Sequence, residues 1–277
     1  MRYPRGKAGR RVRANLGNRG ARVLTPRLPP CRLAASGRAA RGSPDLVMSS
    51  SPHLLLLWDI DGTLLASGGA GMRALRTALA VRFGIDGSLE DIDFGGRTDP
   101  WIMRRIFEKF GLPDTPETMA AYTSAYLEAL PAELQRSTSR VLPGVAERLA
   151  EAAARPHVAQ GLLTGNRRRG AEIKLARHGL WDTFAFGAFA DDHELRNELG
   201  PFALRRAREH HGVTFAPEKT WIIGDTPHDI ACGRAIGART LAVATGHSDA
   251  DVLRDHRPDA FLPDLSDAAR FWDALRT

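Results

Sequence analysis

The stretch that most constrains the fold is residues 54–64, with the sequence LLLLWDIDGTL. Its apolar run is short and bounded by polar residues, which predicts a strand buried on both faces, as at the centre of a parallel sheet. Side chains alternate along a strand, so we expect Asp59 and Asp61 on the same side of its C-terminal end. Two carboxylates placed there are costly unless a cation or a shared proton compensates them.

After residue 142 the chain alternates predicted strands and helices. Two further apolar runs, residues 158–163 and 220–224, also end in polar groups. This rhythm predicts an α/β fold, a Rossmann-like parallel sheet flanked by helices with right-handed crossovers. The carboxyl ends of such strands share one edge, where ligands bind, so the polar residues that follow them are expected to converge. These residues are Asp59, Asp61, Thr164, Gly165, Asn166, Asp225 and Asp229.

The chemistry of these residues suits phosphoryl transfer. Hard oxygen ligands such as Asp59 and Asp225 suit Mg²⁺, which keeps several waters and uses few protein carboxylates. A hydroxyl at Thr164, followed by the start of a helix, suits phosphate oxygens. The sequence therefore predicts a site for Mg²⁺ and a phosphate group at this edge of the sheet.

A helical insertion is predicted directly after the first strand, at residues 68–138. Apolar residues at helical spacing occupy residues 70–83, the segment after Asp99-Pro100 and about residues 116–134. The predicted organisation is an α/β core made of residues 51–67 and 139–277, with residues 68–138 as a small cap. The glycine-rich stretch at residues 67–69 is a predicted hinge.

The first fifty residues differ in composition from the rest. Residues 1–50 hold twelve of the 39 basic residues and one of the 32 acidic ones. The net charge of +7 therefore comes from this segment, which we expect to be disordered. Three interpretations are open: an organelle-targeting peptide, a basic nucleic-acid-binding arm, or a mispredicted start with Met48 as the true initiator. We favour Met48, because the predicted fold needs nothing before residue 53.

The remainder of the chain is mildly acidic, which gives no indication of nucleic-acid binding by the folded body. No apolar run approaches the ~20 residues of a membrane span, so no membrane partner is expected. Cys31 and Cys232 have no neighbouring cysteines, which fits a reducing compartment such as the cytoplasm better than a zinc site or a disulfide framework. The sequence does not indicate an oligomeric state.

The three strand-end motifs, in this order, resemble the first, second and fourth motifs of the haloacid dehalogenase-like hydrolases. The resemblance covers roughly residues 53–262 and implies a phosphatase with a phosphoaspartyl intermediate on Asp59. It implies that Asp61 protonates the leaving alkoxide and then activates water, for which we expect a raised pKa supplied by neighbouring carboxylates. It also implies Mg²⁺ held by Asp59, the backbone carbonyl of Asp61 and Asp225, with Asp229 in support. Predicted contacts to the substrate are Thr63, Gly165 and Asn166.

The third motif departs from the family pattern, in which a lysine usually follows the second motif by about thirty residues. Arg196 stands 32 residues beyond Thr164, and Lys174 stands ten residues beyond it. Arg196 has the expected spacing, whereas Lys174 has the expected chemistry. Either residue can bridge Asp59 and a phosphate, and an arginine offers bidentate contact. We favour Arg196 and keep Lys174 as the alternative.

The position of the insertion resembles the helical-cap branch of the family, which includes phosphoglycolate phosphatases and β-phosphoglucomutases. A closing cap excludes water, which favours a small phosphorylated metabolite as substrate. Residues 96–99 resemble a substrate-reading segment of such caps, with Arg97 as the candidate contact. A phosphosugar mutase of the β-phosphoglucomutase type stays open as an alternative. A non-catalytic interaction protein with a basic arm is the alternative from a different class.

Overall fold

A computed structural model describes residues 52–276. The predicted tail at residues 1–50, with Met48 and Cys31, lies outside the described residues, and its three interpretations stay predictions. No helix among residues 52–276 is both long enough and apolar enough to cross a membrane.

Two sheets are formed within the described residues. Six parallel strands form the main sheet, in the order β5-β4-β1-β6-β7-β8, and β2 pairs with β3 in a small antiparallel sheet. In chain order the strands are β1 (Leu54–Trp58), β2 (Leu65–Ala66), β3 (Arg140–Val141), β4 (Val158–Leu163), β5 (Gly187–Ala188), β6 (Thr220–Gly224), β7 (Arg239–Val243) and β8 (Ala260–Leu262).

Helices follow most of these strands and cover both faces of the main sheet. In chain order they are α1 (Ala70–Phe83), α2 (Asp99–Phe110), α3 (Pro116–Arg136), α4 (Val145–Ala153), α5 (Arg168–Ala176), α6 (Gly200–His211), α7 (Pro227–Ala235), α8 (Ala250–Asp255) and α9 (Ala268–Ala274).

The central strand β1 is buried on both faces, as its sequence predicted. Its alternate side chains enter two separate clusters: Leu56 and Trp58 pack with residues of α4, α5 and α9, whereas Leu55 and Leu57 pack with residues of α6 and α7. Hydrogen bonds pair β1 with β4 on one side and with β6 on the other. The predicted Rossmann-like sheet flanked by helices is confirmed, and it brings the carboxyl ends of β1, β4 and β6 together.

The three helices α1, α2 and α3 pack around an apolar cluster of their own. Sequence signals explain their ends. Thr98 caps α2 and Thr115 caps α3, and a proline in the first turn suits each helix start. Gly84 and Gly111 end α1 and α2 in the left-handed conformation that glycine adopts without strain. The insertion therefore has local stop signals and its own core.

Three local features differ from what the sequence pattern indicates. The apolar run at residues 184–187 indicates a short strand in the sequence, but the strand formed is only Gly187–Ala188, because Trp181–Thr183 forms a short 3-10 turn and the edge strand pairs only with β4. The glycine-rich stretch that follows Thr63 indicates a flexible connection in the sequence, but Leu65 and Ala66 at its start pair with β3. Helix α8 was not predicted, because six residues are too few to show a helical period.

Candidate active site

The ends of β1 and β6 bring three buried aspartates together. Asp59 follows β1, Asp225 follows β6, and Asp229 lies in the first turn of α7. One carboxylate oxygen of each lies within 4.8 Å of the others. Each residue is at most 3 % exposed. The predicted convergence of these residues at one edge of the sheet is therefore present in the structure.

Local structure fixes two of these carboxylates. Thr226 and Asp229 form a capping box at the start of α7, in which Oδ2 of Asp229 accepts from the Thr226 N–H at 3.0 Å and from its hydroxyl at 2.7 Å. The buried hydroxyl of Thr63 donates to Oδ1 of Asp225 at 3.1 Å. Asp229 is thus a helix-capping residue as well as a member of the cluster, and Thr63 contacts a carboxylate of the cluster.

Two glycines allow the backbone to approach Asp225 closely. A Cβ on Gly62, which has a φ of +84°, would overlap the Asp225 carboxylate, and so would a Cβ on Gly246. The hydroxyl of Thr245 donates to the Gly62 carbonyl at 2.6 Å, which joins the two loops. Sequence reasoning missed Gly246, because no motif surrounds it and its position after β7 becomes informative only in the folded sheet.

Burial and like charge act together on this cluster. Burial is the main cause that raises the pKa of Asp59 to about 6, against the lowering effect of Arg196. Burial, Asp229 and Asp59 hold the pKa of Asp225 well above its ordinary value. Three buried carboxylates beside one guanidinium leave an excess of negative charge, which a bound cation would compensate. Oxygen donors with this excess charge fit Mg²⁺.

Arg196 supplies the positive charge next to Asp59. It begins a short 3-10 turn, Arg196–Glu198, and one guanidinium nitrogen lies 2.9 Å from Oδ1 of Asp59 while also contacting Asp229. A second nitrogen donates to the carbonyl oxygen of Gly96 in the cap at 3.1 Å. Arg196 therefore joins the predicted nucleophile, the start of α7 and the cap.

Lys174 lies on the other side of the site and contacts Asp61. Its ammonium is 2.6 Å from Oδ2 of Asp61 and donates to the Asn166 side-chain oxygen at 2.6 Å. The hydroxyl of Ser67 donates to the other oxygen of Asp61. Both candidates for the third-motif cation are thus in the site, but each holds a different carboxylate, and Arg196 is the one that contacts Asp59.

The expected rise in the pKa of Asp61 is wrong. Burial does raise the pKa of this carboxyl, but the charge of Lys174 and hydrogen bonds from Lys174, Ser67 and Asn166 outweigh burial and lower the pKa below its ordinary value. The neighbouring carboxylates can be read from the sequence, whereas the ammonium that α5 presents to this residue cannot. Without substrate, Asp61 is therefore held in its ionised form.

The residues after β4 contact both Asp61 and the cap. The amide nitrogen of Asn166 donates to Oδ2 of Asp61 and to the Thr164 hydroxyl, at 2.9 Å each. Gly165 lies so close to the cap that a Cβ would overlap the carbonyl oxygen of Arg97. Thr164 and Asn166 thus position Asp61, and Gly165 is a point of contact between core and cap.

The cap segment at residues 96–99 lies directly on the core. The Asp99 N–H donates to the Gly165 carbonyl at 2.8 Å, and Oδ2 of Asp99 accepts from the Arg167 N–H at 2.8 Å. The Arg97 guanidinium pairs with Asp93 at 3.0 Å and stacks 4.3 Å from the ring centre of Trp101. Arg97 stays a predicted substrate contact, although here its side chain contacts other cap residues. Asp99 was missed because it reads as an ordinary first-turn acid of α2.

Fold and site together define an enzyme with a Rossmann-like core, a helical insertion and an acidic centre at the sheet edge. The model of the haloacid dehalogenase-like hydrolase family matches residues 56–234. The chain belongs to this family, and it is a hydrolase.

One relative found by sequence and two solved structures resemble this chain. A phosphoglycolate phosphatase from Nitrosococcus oceani is 24% identical over 220 residues, which cover 79% of this chain and 95% of that protein. The structure of CbbY from Rhodobacter sphaeroides in complex with phosphate has a TM-score of 0.65 at 18% identity, covering 80% of this chain and 99% of that one. A hydrolase from Pseudomonas syringae has a TM-score of 0.62 at 20% identity, covering 79% and 98%.

Proposed function

We propose that this protein is a Mg²⁺-dependent phosphatase that hydrolyses a small phosphomonoester, of the size of phosphoglycolate, through a phosphoaspartyl intermediate on Asp59. One observation carries the proposal: three buried carboxylates gather within 4.8 Å at the sheet edge, with Arg196 against the Asp59 carboxylate. The phosphatase name of the Nitrosococcus oceani relative supports it. Two widely separated cysteines keep the reducing cytoplasm as the proposed compartment.

Mg²⁺ would be held by Asp59, Asp225 and the backbone carbonyl of Asp61, with Asp229 in support. When bound, it supplies positive charge that compensates the carboxylates and the phosphoryl oxygens. Asp229 already gives both oxygens to Thr226 and Arg196, so we assign it to positioning Arg196. Arg196 would contact the phosphoryl group while it holds the Asp59 carboxylate in line for attack.

The reaction has two displacements at phosphorus. A carboxylate oxygen of Asp59 forms a bond to phosphorus as the ester oxygen leaves, and Asp61 gives its proton to that oxygen. Asp61 then takes a proton from water, which attacks phosphorus and releases Asp59 and inorganic phosphate. Lys174 holds Asp61 ionised before substrate arrives, so we propose that the phosphate draws Lys174 away and that Asp61 then takes up the proton needed in the first step.

The direct test is phosphate release from p-nitrophenyl phosphate with Mg²⁺ and with EDTA. We expect activity that EDTA abolishes, and an Asp59→Asn variant that stays folded but loses at least about a thousandfold in kcat. Wild-type-like turnover by Asp59→Asn would exclude the covalent mechanism. Transfer of the phosphoryl group to an added phosphosugar in preference to water would favour the mutase alternative.

A further inference from the structure

Tyr122 and Tyr126 lie one helical turn apart on α3, and each is at most 1 % exposed. The hydroxyl of Tyr122 donates to the Leu75 carbonyl at 2.8 Å, inside the cap. Among residues 52–276 the Tyr126 hydroxyl has no hydrogen-bond partner. The atom is not among the fully buried polar atoms that lack a partner, so it keeps slight access to solvent and a ligand can hydrogen-bond to it. The two neighbouring tyrosines therefore differ in what their hydroxyls face.

The Tyr126 hydroxyl faces the contact between cap and core. A Cβ built on Gly170 of α5 would lie 3.7 Å from this hydroxyl and 3.7 Å from Oδ2 of Asp99. Lys174 follows Gly170 by four residues, on the same face of α5. Its ammonium contacts Asp61 at 2.6 Å. The Tyr126 hydroxyl and Asp61, the residue predicted to protonate the leaving group, thus lie beside the same face of α5.

The charges along this face restrict what can bind there. After burial, Asp99 and Asp61 are the charges that most raise the pKa of Tyr126, which agrees with a hydroxyl that faces both carboxyls. Lys174 is paired with Asp61 before substrate binds and is proposed to move to the phosphate afterwards, so in neither state is it available to a charge on the leaving group. A carboxylate on the leaving group would meet the like charge of Asp99 at this point. A hydroxyl both donates and accepts, so it can satisfy the phenol and the carboxylate together.

We propose that Tyr126 contacts the leaving group of the substrate, and that this leaving group carries a hydroxyl where it meets Tyr126 and Asp99. The proposal rests on the phosphatase function proposed above. It narrows the substrate to a phosphate ester of a hydroxylated compound, such as a sugar or polyol, in place of a carboxylated one such as phosphoglycolate. Tyr126 is then a residue that determines specificity.

Three esters with a three-carbon leaving group test this proposal. Glycerol 3-phosphate and 3-phosphoglycerate share a hydroxyl on the middle carbon and differ only at the last carbon, which carries a hydroxyl in the first and a carboxylate in the second. Propyl phosphate has neither group. We expect the wild type to have its highest kcat/KM with glycerol 3-phosphate. Tyr126→Phe should lower that value roughly tenfold and leave the value for propyl phosphate unchanged. Tyr122→Phe is the matched control and should keep all the wild-type ratios. Thermal unfolding of both variants checks that they fold.

Results that contradict this inference can be distinguished from results that contradict the proposed phosphatase function. An equal loss on all three esters in Tyr126→Phe would mean that the hydroxyl only supports the fold, and a wild-type preference for 3-phosphoglycerate would overturn the hydroxylated class. Either result leaves the phosphatase function standing if p-nitrophenyl phosphate is still hydrolysed. Absence of phosphate release from every ester, p-nitrophenyl phosphate included, overturns the proposed function and this inference with it.

Discussion

The site contains two cation–carboxylate pairs whose surroundings differ. Arg196 contacts Asp59 and Asp229, and none of these three side chains is more than 6 % exposed. Lys174 is equally buried, but its partner Asp61 keeps 39 % of its side chain exposed. One pair is therefore shut off from water, whereas the carboxylate of the other can exchange protons with solvent.

The difference suits two distinct tasks. A guanidinium is planar and always charged, so it can hold two carboxylates in a fixed geometry. An ammonium is a compact charge on a flexible chain, and it can change partners. The Arg196 pair thus fixes Asp59, which the reaction requires in one position. The Lys174 pair holds Asp61, which the reaction requires in two protonation states.

The largest predicted effect is the loss of stability when each cation is removed. Arg196→Met leaves the buried carboxylates without their guanidinium, and we expect a loss of about 3–5 kcal/mol in the free energy of unfolding. Lys174→Met leaves a carboxylate that water can reach, so we expect a loss of about 1 kcal/mol. Urea unfolding at pH 7 in EDTA measures both values.

A surface ion pair on α5, the helix that carries Lys174, provides the control. Arg169 lies 2.7 Å from Glu172 and its side chain is 61% exposed, so Arg169→Met should change the free energy of unfolding by less than about 0.5 kcal/mol. Equal losses in the Arg196 and Lys174 variants would contradict the difference between the two pairs.

The part of the site around Arg196 and Asp59 is easier to predict from the sequence than the part around Lys174 and Asp61. Buried strands carry a strong signal, and β6 lies at the predicted residues. Because the strands are parallel, Asp59 and Asp225 lie at the same edge of the sheet, independently of the loop conformations. The spacing of Arg196 from Thr164 was informative through the resemblance to the family, in which a lysine usually follows the second motif by about thirty residues.

Partners that depend on how helices face each other could not be predicted. The contact between Lys174 and Asp61 requires a particular face of α5 to lie against the loop that follows β1, which no local pattern encodes. Tyr122 and Tyr126 both read as apolar positions of one helix, although their hydroxyls face different surroundings. Strands β2 and β3 have two residues each and pair across the whole insertion, so neither shows a period.

Mg²⁺ binding should separate the two pairs further. Only the Arg196 pair contains a proposed side-chain ligand of Mg²⁺, Asp59, whereas Asp61 is proposed to contribute only its backbone carbonyl. At a hundredfold excess over Kd, a ligand that binds the folded state alone stabilises it by about 2.7 kcal/mol. We expect this gain in the wild type and in Asp61→Asn, which keeps the backbone carbonyl. Asp225→Asn should abolish it. Urea unfolding with MgCl₂ or with NaCl of equal ionic strength measures the effect, and equal dependence on Mg²⁺ in the two variants would refute the assignment.

The pH dependence of stability should have opposite signs for the two aspartates in EDTA. The pKa of Asp59 is raised from 3.8 to about 6, so between these values the folded state holds a proton that the unfolded state has lost. The free energy of unfolding then falls as pH rises from 4 to 6, and Asp59→Asn should be the more stable protein above pH 6, by on the order of 2 kcal/mol. This advantage should vanish below pH 4.

Asp61 should behave in the reverse way, because its pKa is lowered in the folded state. Its contribution to stability is present above pH 4 and is lost as pH falls through the folded-state pKa. Asp61→Asn should therefore be less stable than the wild type at pH 7 and approach it in acid. Urea midpoints at several pH values test both variants, and changes of the same sign in the two would contradict the comparison.

The smallest predicted effects on stability come from removing two hydroxyls, one that contacts Asp229 and one that contacts Asp61. Thr226→Ala removes the cap of α7 together with a buried hydrogen bond to Asp229, so we expect a loss of about 1 kcal/mol. Ser67→Ala removes the hydroxyl that donates to Asp61, but water can replace it at a half-exposed carboxylate, so stability should change by less than about 0.5 kcal/mol. A larger loss in Ser67→Ala than in Thr226→Ala would mean that Asp61, not Asp229, is the carboxylate that the fold holds more rigidly.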